Sequence, residues 1–509
     1  VPPGRADRLG PGDIVAGLSV ALVVIPQSLA YANLAGLPPA LGLYAAILPP
    51  VAAALFASSP YLQTGPVAMT SILVLGALVP LAAPQTTEYI GLAALLAITV
   101  GVARLLIGIL RAGFVAYLMS QPVLTGFTTA AALLIVASQL PTALGTEDPG
   151  RGLMMSALLA AIRPAEWSVS AVGLSLVTGF IIVGGRRLHA LFPGVLIAVG
   201  LGIAYGLSGW NAVETVGTIP GKLPSISVDL PWREWHALLI PGLVIAVVGF
   251  AEPAAIARAM AAQSRQPWSA DREFVSQGVA NLAAGFSGAF PVGGSFSRTM
   301  VALKAGARTR WTGAITGLAV FAFLPVADIL APLPKAVLAA VVIAAVLGLI
   351  EFKALLRITR QSRAQAAVAW LTFVMTLALA PRIDIAVVLG IGASVVVHLW
   401  RERRIEVIRQ YQDETLTLEP IGVLYFGSAS DLNDALIAAL AANPAAQHLV
   451  LDLRKVGRID YTGALVIQQI AKQAEAAGLG VKIIPGQRPQ GAKLLERVLA
   501  EDSRWIEDQ

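Results

Sequence analysis

Cysteine is absent from the 509 residues, which removes disulfides, thiolate metal sites and cysteine nucleophiles from consideration. Charge is scarce. Only 13% of the residues are charged and 56% are hydrophobic, against roughly 25% and 45–50% in an ordinary soluble domain. That balance excludes a soluble fold of this size, and the apolar content excludes disorder. Histidine occurs four times, at His189, His236, His398 and His448, without metal-ligand spacing, and no phosphate loop or nucleophile elbow is present. An enzyme or an ATP-driven pump therefore lacks its parts, and no cofactor is implied. An outer-membrane barrel is excluded by apolar runs far longer than the roughly 9–11 alternating residues of a barrel strand.

What is present is distributed unevenly. Of the 36 basic and 30 acidic residues, 24 fall in residues 405–509 and 42 in the first 404. This is the pattern of a membrane protein with a soluble tail. The pI near 9.6 is read as orientation information and not as nucleic-acid binding, because cytoplasmic loops of polytopic proteins collect Lys and Arg. Residues 1–12 form a polar segment carrying Arg5 and Arg8, and no small-residue cleavage site follows the first apolar run, so that run is read as a membrane helix and not a removable signal. A start at Val1 is expected of a trimmed chain.

A membrane helix needs about 20 mostly apolar residues. Fourteen candidate spans fall in residues 13–404: 13–34, 40–57, 64–76, 88–110, 115–140, 167–184, 190–207, 236–257, 272–289, 294–304, 310–328, 334–350, 365–380 and 383–400. The third and tenth are too short to cross a bilayer of about 30 Å. Basic residues gather on alternate loops: Arg111; Arg186 and Arg187; Arg258, Arg265 and Arg272; Lys304, Arg308 and Arg310; Lys353, Arg357, Arg360 and Arg363. The second loop is uncharged and the opposite loops are mixed or acidic, as at Glu147 and Asp148. With Arg401, Arg403 and Arg404 after the last span, both termini are expected in the cytoplasm.

A weak repeat is present. Pro26 interrupts the first span and is followed by Gly65 and Pro66 at the first short segment; Pro253 interrupts the eighth and is followed by Gly293 and Gly294 at the second. Matched interruptions point to an inverted-repeat transporter, with halves at about 13–207 and 236–400. Each half holds seven spans, so the second must be inverted. The alternative is that Pro and Gly are simply common in membrane helices.

Residues 405–509 read as a compact α/β domain: strands at 416–418, 421–426, 448–453 and 481–484, and helices at 430–442, 463–477 and 491–499.

Several strings resemble one family. Ile25-Pro26-Gln27-Ser28-Leu29-Ala30-Tyr31-Ala32, Leu37-Pro38-Pro39 with Gly42-Leu43-Tyr44, Gly65-Pro66-Val67-Ala68, and Gly294-Ser295-Phe296-Ser297-Arg298-Thr299 are similar to the SulP anion transporter family, which includes sulfate permeases, bicarbonate transporters and prestin. The tail, with Val450-Leu451-Asp452-Leu453 and Ile459-Asp460-Tyr461-Thr462-Gly463, resembles the STAS domain that ends most members. The resemblance implies seven plus seven helices in inverted repeats, split into core and gate domains, a homodimer, and an anion site between the two short segments, with Gln27 and Tyr31 lining the cavity. Two departures stand out. Pro60 occupies a position where members commonly carry a basic residue. In the tail Tyr461 replaces the usual Ser, leaving Thr462 where bacterial relatives are phosphorylated.

The residues themselves fit an anion. Two half-helix N-termini meeting at mid-membrane present unpaired N–H groups and two positive dipole ends. Gly65, Ala68, Gly293, Gly294, Ser295 and Ser297 admit a ligand to the backbone, although small residues also serve helix packing. Arg298 costs at least about 2.5–3.5 kcal/mol to insert and needs a partner; a bound anion or a fixed ion pair with Glu252 meets that need. Glu252, beside Pro253, suits coupling to a proton or a sodium ion, or structural pairing. Gln27 and Tyr31, four apart, share a helical face. Asn281, Gln121 and Gln139 read as interhelical glue. In the tail, Asp460 and Thr462 are regulatory candidates or merely helix caps.

The expected protein is a secondary active transporter of a small oxyanion or carboxylate in a bacterial cytoplasmic membrane, with proton coupling favoured and sodium coupling or exchange left open. Its partners are the anion, a coupling proton or sodium ion, the lipid bilayer, a second copy of the chain and a cytoplasmic regulator of the tail. An anion channel or voltage-responsive motor is the alternative; a signalling scaffold acting through the tail is a third reading.

Overall fold

In the computed structural model the described residues are 9–117, 119–147, 150, 152–188, 192–210, 213–224, 226, 229–402, 405–486, 489–499 and 505. Arg5, Arg8, Asp148, His189, Arg403 and Arg404 lie outside them. The chain divides into two compact units, Val1–Gly392 and Ala393–Gln509.

The first unit is helical. Its first half contains α1 (Pro11–Leu34), α2 (Ala40–Ala45), α3 (Leu48–Phe56), the strand β1 (Gln63–Gly65), α4 (Ala68–Leu78), α5 (Thr87–Ile109), α6 (Gln121–Leu144), α7 (Leu153–Ile162), α8 (Val169–Leu188) and α9 (Gly194–Leu207). The second contains α10 (Trp235–Ser264), α11 (Ala270–Phe286), the strand β2 (Gly293–Ser295), α12 (Phe296–Lys304), α13 (Trp311–Phe323), α14 (Lys335–Val346), α15 (Phe352–Gln361), α16 (Arg363–Ala378) and the first part of α17 (Ile383–Glu402), whose residues from Ala393 on belong to the second unit. Among the described residues seven helices are long and apolar enough to cross a membrane unaided. The segment expected at 40–57 is divided into α2 and α3, and α7 and α15 lie outside the fourteen expected spans.

Pro26 and Pro253 do not interrupt their helices, contrary to expectation; α1 and α10 run through both. Breaking a helix in hydrocarbon would strand more backbone groups than the single amide that proline removes. Ser28 Oγ helps near the first by donating to the Ile25 carbonyl at 2.8 Å.

Packing reveals the repeat more clearly than the sequence does. Helix α5 packs on α10 and α11, and α13 packs on α1 and α3; α6 packs on α16, α8 on α14, and α6 on α14. Exchanging α1 with α10, α3 with α11, α5 with α13, α6 with α14 and α8 with α16 converts these contacts into one another and the α6–α14 contact into itself. β1 and β2 pair antiparallel, with Gln63 opposite Ser295, Thr64 opposite Gly294 and Gly65 opposite Gly293. The two halves therefore meet head to head, as an inverted repeat requires.

The second unit contains β3 (Glu406–Gln412), β4 (Thr415–Leu424), α18 (Ala429–Ala442), β5 (His448–Asp452), β6 (Val456–Ile459), α19 (Tyr461–Ala476), β7 (Gly480–Ile484) and α20 (Pro489–Val498). The sheet order is β3-β4-β5-β7 with β6 also on β4, and only the β3/β4 pairing is antiparallel. Leu418, Leu451, Ile467 and Ile483 are buried in its core. The two strands expected at 416–418 and 421–426 are one strand, and β3 and β6 were not anticipated. β3 is an edge strand whose outward residues stay wet, so its sequence carries no apolar alternation.

Candidate functional site

Gly and Pro stop helix formation at both short segments, and the chain instead runs extended for three residues before each half-helix. Gly65 has φ +154°, and a Cβ there would stand 3.3 Å from Arg298 Nη2. At Gly294 a Cβ would meet Leu62 Cδ1 at 2.7 Å and Pro253 Cβ at 3.1 Å. Glycine is needed at the first for conformation and at the second for the close approach of α10.

This crossing is pinned from outside by buried polar groups. Asn281 Nδ2 donates to the Val292 carbonyl at 3.1 Å while its Oδ1 accepts from Val292 N–H at 2.9 Å. Gln277 Nε2 donates to Thr64 Oγ1 at 2.7 Å, and Gln63 N–H donates to Thr299 Oγ1 at 3.1 Å. Asn281 thus acts as the expected glue, but to the strand. Gln139 bonds only to the adjacent Ser138 among its described partners, and Gln121 lines a cavity.

The two half-helix ends differ. Val67, the N-cap of α4, offers no side-chain acceptor to the amides of its first turn. Helix α12 differs: Ser295 Oγ accepts from Arg298 N–H at 3.5 Å, and the Glu252 carboxylate lies beside Phe296 N–H. Ser295 Oγ also lies 3.3 Å from Ser297 Oγ. One N-terminus has no side-chain cap and the other has a carboxylate beside it.

Arg298 is 1% exposed. Its Nη1 donates to the Pro66 carbonyl at 2.7 Å, while Nε and Nη2 are buried with no hydrogen-bond partner. Tyr31 and Glu252 lie within electrostatic range of the guanidinium, but no ion pair forms between Arg298 and Glu252 among the described residues. Gln27 Oε1 is likewise buried without a partner.

Two cavities flank the crossing. One, of about 300 Å³, lies between α1, α12 and the α8–α9 region and is lined by Gln27 and Ser297. The other, of about 340 Å³, lies between α4, α6, α10 and α12 and is lined by Glu252 and Phe296, with Met69, Gln121 and Glu351. Gly65, Val67, Ala68, Gly294 and Ser295 form the buried crossing itself. Asp460 and Thr462 belong to the second unit. There Asp460 Oδ1 caps α19 by accepting from Gly463 N–H at 2.7 Å, and Thr462 is exposed.

Sequence reasoning overlooked Arg104. This fully buried arginine of α5 donates from Nη1 to Val292 at 2.9 Å, from Nε to Ala246 at 3.1 Å and from Nη2 to Ile245 at 3.2 Å, all main-chain carbonyls. Its signal was available: a lone Arg inside the apolar run 88–110, costly by the same argument as Arg298. Glu273 was also missed. Buried on α11, it accepts from the N–H groups of Ser58 and Ser59 at 3.1 and 2.8 Å, holding the loop that leads into β1.

Apolar helices in two inverted halves, meeting at paired half-helices beside a buried cation, define a polytopic membrane transporter. Residues 11–372 match the sulfate permease family and residues 406–508 the STAS domain. The chain belongs to the sulfate permease family, which consists of transporters and not of enzymes. It is 36% identical over 375 residues to a probable sulfate transporter of Mycobacterium tuberculosis, covering 72% of this chain and 67% of that one. It is 32% identical over 398 residues to the chloroplastic sulfate transporter 4.1 of Arabidopsis thaliana, covering 76% of this chain and 58% of that one. In fold it resembles the murine solute carrier 26 family member A9 anion transporter in its inward-facing state, with a TM-score of 0.89, 21% identity and coverage of 97% and 89% of the two chains. The transmembrane domain of a cyanobacterium bicarbonate transporter aligns with a TM-score of 0.65, 23% identity and coverage of 75% and 97%.

Proposed function

We propose that this protein is a secondary active transporter of small oxyanions or carboxylates that works by alternating access, with the anion held at the crossing of α4 and α12. The reading rests chiefly on Arg298, a buried cation with two donors that lack partners, next to a half-helix end without a side-chain cap. Leaving charged donors unsatisfied in a low-dielectric site is costly, and an oxyanion meets both donors in one plane. Gln27 and Tyr31 complete the pocket from α1, and Gly65, Val67, Ala68, Gly294, Ser295, Phe296 and Ser297 supply its backbone and walls.

Glu252 is the coupling group in this reading. Its carboxylate lies beside the Phe296 amide at the start of α12, so it competes with an anion for the same positive field. Protonation removes that competition as the substrate enters, which favours proton symport over sodium symport or exchange. The membrane is the bacterial cytoplasmic membrane, with both termini inside and the chain paired as a homodimer. The STAS unit regulates turnover, through a cytoplasmic partner or through Thr462; equal flux in the parent, Thr462→Ala and Thr462→Glu would remove the second route.

Reconstitution in liposomes tests the function directly. Labelled sulfate, bicarbonate and dicarboxylates are offered under imposed proton or sodium gradients. Saturable uptake above equilibrium, driven by inward protons, is expected for one of them. Unsaturable flux that never exceeds equilibrium would mean a channel, and no flux of any anion would sink the transport reading.

A further inference from the structure

Helix α15 presents three different faces. At about 100° per residue, Ala354, Leu355 and Ile358 fall together, and Leu355, fully buried, packs with Ala130, Ala369 and Phe373 of α6 and α16. Phe352 and Leu356, 40% and 52% exposed, form a second, outward apolar face. Lys353, Arg357 and Arg360 occupy the third, beside it, all exposed. No acidic residue lies between Phe352 and Arg363, and none of these cations, nor Arg363, forms an ion pair among the described residues. Packing on α6 and α16 explains the first face and the inner edge of Phe352, which meets the Phe373 ring edge-on at 5.8 Å, but not Leu356 or the cations.

An exposed apolar strip bordered by unpaired cations, on a helix set between two apolar helices, is the chemistry of the membrane–water boundary. We infer that α15 is an interfacial anchor that binds anionic lipid headgroups, with Phe352 and Leu356 dipping into the acyl boundary and Lys353, Arg357 and Arg360 at phosphate level. Each cation held against an anionic leaflet strengthens attachment by about fivefold. The anchor bears on the transport site by position. Glu351 N–H donates to Thr129 Oγ1 of α6 at 3.2 Å, and Gly348, Leu349 and Glu351, immediately before α15, line the same cavity as Glu252 and Phe296. Headgroup binding on α15 therefore holds one wall of that cavity.

The absence of cysteine makes Leu356→Cys a unique labelling position. The variant, carrying an environment-sensitive fluorophore, is reconstituted in phosphatidylcholine vesicles with or without phosphatidylglycerol, and quenching by spin-labelled lipid is measured. Phosphatidylglycerol is expected to increase quenching about twofold or more and to shift emission to the blue, with high salt reversing the effect. Adding Lys353→Gln, Arg357→Gln and Arg360→Gln should abolish the dependence on lipid charge. Quenching that is equal in the two lipid compositions overturns the inference without recourse to the triple variant. So does an equal response to soluble glycerol phosphate, which would assign the cations to a free phosphate. The readout needs no transport, so a failure of the proposed function is not confused with a failure here.

Discussion

Arg298 and Pro66, separated by 232 positions, are joined by a 2.7 Å hydrogen bond from the guanidinium to the main-chain carbonyl. The first turn of α12 is thereby tied to the approach to α4. One arm of the guanidinium serves the fold, and Nε and Nη2 are left without a hydrogen-bond partner. Arg298 is thus a strut and, in the proposed function, a binding group as well, which shapes how its substitution should behave.

Arg298→Ala is expected to weaken anion binding by about tenfold or more, the worth of a lost charge-assisted pair. Arg298→Lys should recover only part, being a point charge in place of a fork. Binding to purified protein by calorimetry checks this, with thermal unfolding run beside it because the Pro66 bond is also lost. Parent-like affinity in the alanine variant would remove Arg298 from the site.

Glu252→Gln keeps the shape and a carbonyl oxygen beside Phe296 N–H while removing the charge. Anion exchange between loaded liposomes should persist, whereas uptake should lose its response to an imposed proton gradient. If the gradient still drives uptake, coupling resides elsewhere.

Arg104 is expected to act as a positioning residue. Arg104→Met leaves three buried carbonyls without their donor and should cost on the order of 3 kcal/mol, lowering the unfolding temperature in detergent. Arg104→Lys should restore part of the stability. Because Val292 precedes β2, anion affinity should fall in the methionine variant and partly return in the lysine variant. Unchanged unfolding temperature would show that the three bonds contribute little.

The STAS unit should lose stability in acid. Arg454, hydrogen-bonded to the Asp452 carboxylate from Nε and Nη2, holds that carboxyl below its usual range. A depressed folded-state value contributes stability above the unfolded value of about 3.9 and loses it as pH falls through the folded one. Arg454→Ala should therefore cost about 1 kcal/mol or less near neutral pH, and the difference from the parent should shrink as pH falls through the depressed folded-state value and vanish below it. Unfolding of residues 405–509, followed at the buried Trp505, measures it; a gap that persists in acid would discount the pair.

How much of this was legible in the sequence varies with the range of the interaction. Hydropathy is summed along one segment, so the helices, the soluble tail and the orientation charges could be read from neighbouring residues. So could the two half-helices, because Gly65-Pro66 and Gly293-Gly294 exclude helix locally. The cost of an ion in hydrocarbon singled out Arg298 and Glu252, and would have singled out Arg104. Only tertiary structure could decide what those charges meet. The pairing of Gln63 with Ser295, the main-chain partners of Arg104 and the bond from Arg298 to the Pro66 carbonyl all join segments far apart in sequence. Such bonds depend on distances of a few tenths of an ångström set by packing. A sequence records that a buried charge must be compensated; the folded chain determines by which group.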